Sequence, residues 1–109
     1  MEQDHALRIG APMTVDDRTV RVDLAGELDG PNTAALVAAF DQVMTASGAA
    51  LITLGLSRLT FVDSAGLQAL VECRQAAAAA GRRLELRDPL PIVRQVLTIT
   101  ELLDDFGLE

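Results

Sequence analysis

Few side chains in this sequence are suited to chemistry, and one of them stands where the chain changes direction. In "LTFVDSAGLQAL", Leu59 to Leu70, an apolar run passes through Asp63-Ser64-Ala65-Gly66 into a stretch with helical spacing. A serine at that point has two readings. Its oxygen can cap the helix by accepting a hydrogen bond from a free backbone N–H, a role that contributes about 1 kcal/mol and needs no further purpose. It can also accept a phosphate, because a helix N-terminus tolerates an anion without unfolding the domain. Phosphorylation would add about −1.5 to −2 charges beside Asp63 and near Asp29, and like charge facing a docked partner costs several kcal/mol.

Nucleophilic catalysis by the same hydroxyl lacks its other parts. A Ser-His-Asp arrangement needs a base within hydrogen-bond reach, and the only histidine, His5, lies in the N-terminal tail ahead of the first strand. "DSAG" has no flanking glycines of the G-x-S-x-G kind, and neither a P-loop nor a G-x-G-x-x-G run occurs. Asp29 and Asp63 could approach as paired carboxylates, but no third metal ligand stands nearby and turn or cap roles explain them as well. The expectation is a protein that is not an enzyme, with no catalytic residue, cofactor or metal. Cys73 is the single cysteine, which excludes an intrachain disulfide and a cysteine-built metal site. It is expected to pack toward the margin of a helix's buried face, since a redox role requires an exposed, low-pKa thiol.

Composition narrows the partners. Sixteen Asp and Glu against nine Lys and Arg give a net charge of −7, which opposes binding to nucleic acid and offers no basic stripe to an anionic membrane. With no Trp or Tyr and three Phe, bases have little to stack on. The start "MEQDHAL" lacks the cationic and apolar segments of a signal peptide, and no apolar run approaches the roughly 18 residues that span a bilayer. A cytoplasmic protein without membrane insertion is expected. The length, 109 residues, suits one domain with its own core.

The elements that must position Ser64 follow from periodicity. "ALRIGAPM" is a first apolar stretch, and "TVRVDL" alternates as a strand with one wet face. "GELDGP" turns into a helix, Pro31 suiting its first position, and Leu36, Val37, Phe40, Val43 and Met44 repeat at helical spacing until Ser47-Gly48. "ALITLGL", Ala50 to Leu56, reads as a buried strand. A second helix runs from about Ser64 to the alanines before Gly81, with Leu67, Leu70, Val71 and Ala78 inward and the stem of Arg74 laid along the core. "RLELR" is a strand, Asp88-Pro89 opens a third helix carrying Val93, Val96 and Leu97, and "TELLDDF" supplies a last turn or short helix. Strands joined through helices should be parallel, with function in the loops beyond their carboxyl ends, where "GELDGP" and "FVDSAGL" both fall.

"GELDGPNTAAL", followed about thirty residues later by "FVDSAGLQAL" and closed by "PIVRQVLTITELLDDF", resembles the STAS domain of bacterial anti-sigma factor antagonists. The resemblance covers about Ala6 to Phe106 of a single domain spanning residues 1–109. It implies an α/β fold, a small mixed β-sheet of about four to five strands with helices packed on one face. It also implies that Ser64 is the phosphoacceptor of a D-S-x-G-L motif, and that Asp63 before it and Asp29 of the G-E-L-D motif belong with it to the partner-binding surface. Gly66 and Leu67 would be neighbouring surface and helix anchor, with Gln68 and Glu72 further partner contacts on the solvent side of the helix. The implied partner is an anti-sigma factor with a histidine-kinase-like ATPase fold, which phosphorylates the serine with ATP and magnesium and is thereby released, and a serine phosphatase reverses this. Two positions depart from the family's pattern: Ala65 stands where some relatives carry a second serine, and Gln68 replaces a frequent glycine. Free-standing STAS domains also resemble subunits of membrane transport complexes, of ABC lipid or anion type, which is the alternative.

Overall fold

The computed structural model describes residues 6–102 and 104–108; His5 lies outside them. Its centre is a five-stranded sheet in the order β1-β3-β4-β5, with β2 also pairing β3. The first apolar stretch is divided between β1 (Arg8–Ile9) and β2 (Met13–Asp16), both antiparallel to β3 (Thr19–Leu28). Beyond β3 the crossovers enforce one direction: β3 pairs parallel with β4 (Leu51–Val62), and β4 with β5 (Arg83–Arg87). The helices are α1 (Thr33–Ala46), α2 (Ser64–Ala79) and α3 (Pro91–Ile99), and the chain closes through a 3₁₀ turn at Asp104–Phe106. No helix of the described residues is long and apolar enough to cross a membrane.

Alternation along β3 divides the sheet into two faces. Val20, Val22, Leu24 and Leu28 are buried and form the core with Leu36, Phe40 and Val43 of α1 and Leu70 of α2. The intervening residues Arg21 and Asp23 point the other way, where they pair at 2.8 Å across Gly55 of β4. Glu85 of β5 is on the same side, 8% exposed and ion-paired with both Arg83 and Arg87.

β3 and β4 are both longer than local alternation suggests, and this positions the site. Val62 was not expected in a strand, since the apolar run weakens after Leu56 and Ser57 and Arg58 are exposed. Pairing resumes through Arg58, Leu59, Phe61 and Val62 against Ala25, Gly26, Glu27 and Leu28, after one register irregularity between Asp23 and Ala25 and across a second between Gly26 and Glu27. Gly26 permits the passage of the N-terminal segment: its φ is +92°, and a Cβ there would meet the Ala6 carbonyl oxygen at 2.1 Å.

The buried face of α2 differs from the expected one. Leu70 is buried, but the rest of that face is Gly66, Ala69, Cys73 and Ala77, while Leu67 and Val71 are half-buried and Ala78 is exposed. Small residues at this spacing let α2 lie close to both the sheet and α1, so close approach rather than bulk sets its rotation. Arg74 lies as its amphipathic stem requires, over the Phe106 ring at 5.8 Å, with its head 4.0 Å from Asp105. Val93 and Leu97 anchor α3, with Val96 half-buried beside them.

Candidate functional site

β3 and β4 are parallel neighbours, so the segments leaving their carboxyl ends emerge side by side. The first is Asp29 and the 3₁₀ turn Gly30–Asn32, entered through Pro31; the second is Asp63 and the start of α2. Asn32 ties the first together. Its side-chain oxygen accepts from the Asp29 N–H at 2.9 Å, and its side-chain amide donates to the Glu27 carbonyl at 2.8 Å. Thr33 adds a bond from its hydroxyl to the Gly30 carbonyl at 3.2 Å.

The cap of α2 is Asp63, not Ser64. Asp63 has extended backbone, and its Oδ1 accepts from the Gly66 N–H at 2.7 Å. Ser64 is therefore the first helical residue, exposed, with its hydroxyl not needed as the cap. The same carboxylate reaches the other segment, Oδ2 accepting from the Gly30 N–H at 3.3 Å, while the Asp63 N–H donates to the Leu28 carbonyl at 3.2 Å. Gly66, expected near the surface, is buried because α2 lies against the end of β3: a Cβ there would stand 2.4 Å from the Leu28 carbonyl oxygen.

Asp29 and Asp63 are half-buried, and Leu67 is half-buried at the edge of the core. Ser64, Gln68 and Glu72 are exposed on successive turns of α2, as i, i+4, i+8 spacing requires. Ala65, Gln68 and Glu72 line a shallow groove between α1 and α2, faced by Thr33, Ala34 and Val37. Val37 is thus a surface residue beside the site, 36% exposed, although helical spacing grouped it with the core side chains. A 3.6-residue period keeps Leu36 and Phe40 on one stripe and leaves Val37 off its centre, which is the signal sequence reading could have used. Asn32 was also missed; its signal was an amide three residues after Asp29, directly before a helix.

Cys73 is 2% exposed, more central than expected, and burial, with the Glu72 charge beside it, pushes its thiol up to about 12. This removes the condition for redox reactivity. Native protein at pH 8 should leave Cys73 unmodified by a thiol-disulfide reagent over a period in which urea-unfolded protein reacts fully. The proton count gives a second expectation. Between pH 9 and about 12 the folded state holds a proton that the unfolded state has released, so stability falls as pH rises through that window. Denaturant midpoints measured across it should fall less steeply for Cys73→Ala. Among the described residues no group of three or more His, Cys, Asp or Glu could hold a metal ion.

Comparison with known proteins places this arrangement. No curated protein matches the sequence. Solved structures do. The anti-sigma factor antagonist SpoIIAA in its unphosphorylated form shares 27% identity over 89% of this chain and 82% of its own, with a TM-score of 0.71. The Bacillus cell fate determinant SpoIIAA in the phosphorylated form shares 26% over 89% and 85%, with a TM-score of 0.65. An anti-sigma factor antagonist from Mycobacterium paratuberculosis has the same fold, with a TM-score of 0.79 over 99% of this chain and 89% of its own at 22% identity. The family described as "Mlab, STAS domain" matches residues 13–107, nearly the whole of the sheet and all the helices, and the chain belongs to the STAS domain family.

Proposed function

We propose that this protein is an anti-sigma factor antagonist whose binding surface is built from the Asp29 turn and the exposed side of α2 and is switched off by phosphorylation of Ser64. The observation that carries the reading is the division of labour at the start of α2. Asp63 supplies the cap, so the neighbouring Ser64 is left exposed at the head of the row that continues through Gln68 and Glu72. A phosphate added there meets a helix end already occupied by a carboxylate, so it acts as surface charge and does not become a new internal cap. Resemblance supports the same reading, since SpoIIAA is an anti-sigma factor antagonist with a phosphorylated and an unphosphorylated form.

On this reading the unphosphorylated chain binds an anti-sigma factor of histidine-kinase-like ATPase fold in the cytoplasm and frees the sigma factor. The partner's transfer of a phosphoryl group from ATP to the Ser64 oxygen ends binding, and a serine phosphatase restores it. The chain is then a kinase substrate, not an enzyme, and needs no cofactor. Asp29, Ser64, Gln68 and Glu72 would make contacts, Leu67 would anchor the helix, and Gly66 would act by permitting close packing.

The test is a capture from host lysate followed by a kinase assay. Wild-type protein should retain an ATPase-fold anti-sigma factor, and with magnesium and ATP that factor should add one phosphate, located on Ser64 by mass spectrometry. Ser64→Ala should bind the factor as wild type does and remain unmodified. Retention of membrane-transport subunits instead, with no phosphate on Ser64, would overturn the proposal in favour of a structural subunit of a transport complex.

A further inference from the structure

The two segments of the candidate surface come from places far apart in sequence, yet the surface works only if they keep one relative position. Beyond the ladder that pairs β3 with β4, three hydrogen bonds among the described residues cross this end of the two strands. The Asp63 N–H donates to Leu28, the Gly30 N–H donates to Asp63 Oδ2, and the Thr60 hydroxyl donates to the Gly26 carbonyl at 3.1 Å. Of these, the contact between Gly30 and Asp63 alone ties the turn that carries Asp29 to the helix that carries Ser64. Asn32 makes that turn rigid from within, through Asp29 and Glu27.

We infer that Asp63 is a positioning residue: one oxygen caps α2, the other latches the Asp29 turn to it, so that Asp29 and Ser64 face a partner as one preorganised surface. This rests on the proposed function and assigns Asp63 a different part in it, because both its oxygens are turned to the chain's own N–H groups and not outward to a partner. Preorganisation raises affinity by removing the ordering cost at binding, and a turn joined to the neighbouring helix start by one side-chain hydrogen bond is where that cost would otherwise fall.

Substitutions can separate the two oxygens. Asn is as good a cap as Asp, so Asp63→Asn keeps an oxygen for the Gly66 N–H and sets an NH₂ group against the Gly30 N–H. Gly30→Pro deletes the donor and leaves Asp63 intact; Asp29 already has the extended backbone that precedes proline readily. Gly30→Ala is the control, since a Cβ there meets nothing within 4 Å and the N–H stays.

Amide hydrogen exchange by NMR reads the latch without any partner. In Asp63→Asn the Gly30 N–H should exchange at least about tenfold faster, with Gly66 changed less than about threefold. Equal acceleration at both positions, or none at Gly30, overturns the latch. In Gly30→Ala the protection factor of the residue 30 N–H should stay within about threefold of wild type, and affinity for the anti-sigma factor captured by wild type should fall about tenfold in Asp63→Asn and in Gly30→Pro. Loss of Gly30 protection with undiminished affinity overturns the preorganisation claim. The arms fail separately: should wild type capture no anti-sigma factor, the proposed function fails, and exchange at Gly30 still decides whether Asp63 is a latch.

Discussion

Ser64→Asp is expected to lower affinity for the anti-sigma factor by more than about a hundredfold while the domain stays folded. The size follows from charge and place. The new carboxylate sits on the first turn of α2, beside Asp63, on a chain of net charge −7. Like charge placed against a docked surface costs several kcal/mol, and about 3 kcal/mol is a loss of more than a hundredfold. Stability should change by less than about 1 kcal/mol, because the position is exposed and an acidic residue at a helix N-terminus is favoured by the dipole even with Asp63 adjacent. Titration calorimetry of wild type and variant against the purified partner, with a thermal melt of each, reads both quantities. Undiminished binding by Ser64→Asp would refute switching by charge at this position, and a collapsed melt would show that Ser64 is structural.

Gly66→Ala carries the largest expected effect on the fold. In an ordinary helix interior this change stabilises by about 1 kcal/mol, because alanine loses less backbone entropy on folding. Here the added Cβ would stand 2.4 Å from the Leu28 carbonyl oxygen and 2.8 Å from Leu28 Cγ. The carbonyl cannot simply move away, since it accepts the Asp63 N–H that joins β3 to the start of α2. Relief requires α2 to lift from the sheet, which loosens Ala69, Leu70 and Cys73 behind it. Overpacking of this kind costs about 3 kcal/mol, which outweighs the propensity gain and leaves a net loss of about 2 kcal/mol, or roughly 10 °C in Tm for a domain of this size. Ala65→Gly, one residue earlier and exposed, should cost only about 1 kcal/mol, the propensity difference alone. If Gly66→Ala melts at or above wild type, the close approach of α2 to β3 is wrong. Ser64→Asp and Gly66→Ala should therefore separate signalling from folding within the first turn of one helix, the former altering binding without the fold and the latter altering the fold first.

Much of the framework was legible because it rests on local periodicity. The alternation in Thr19–Leu24, the helical stripe of Leu36, Phe40 and Val43, and the breaks at Ser47-Gly48 and Gly81 each report which side of an element faces water. Parallel pairing of β3, β4 and β5 followed from the helices between them, since a crossover of that length returns the chain in the same direction. Those two arguments also point to the candidate site, at the ends of β3 and β4.

By itself, then, the sequence determined the order of the helices and of the strands they join, the parallel direction of those strands, the end of the sheet where the candidate site lies, and the residue types gathered there. Tertiary structure alone decided which of them does what. Ser64 and Asp63 are both good cap residues, and the choice fell to Asp63 because β4 runs to Val62 and leaves residue 63 as the last with extended backbone. How far β4 runs depends on pairing with β3 across two register shifts, which no local pattern encodes. Gly66 is required by a carbonyl 38 residues earlier in the chain (66 − 28), and the bond from Gly30 to Asp63 spans 33. Periodicity reports the environment of one element at a time; contacts between chain ends brought together by the sheet exist only once the sheet has formed.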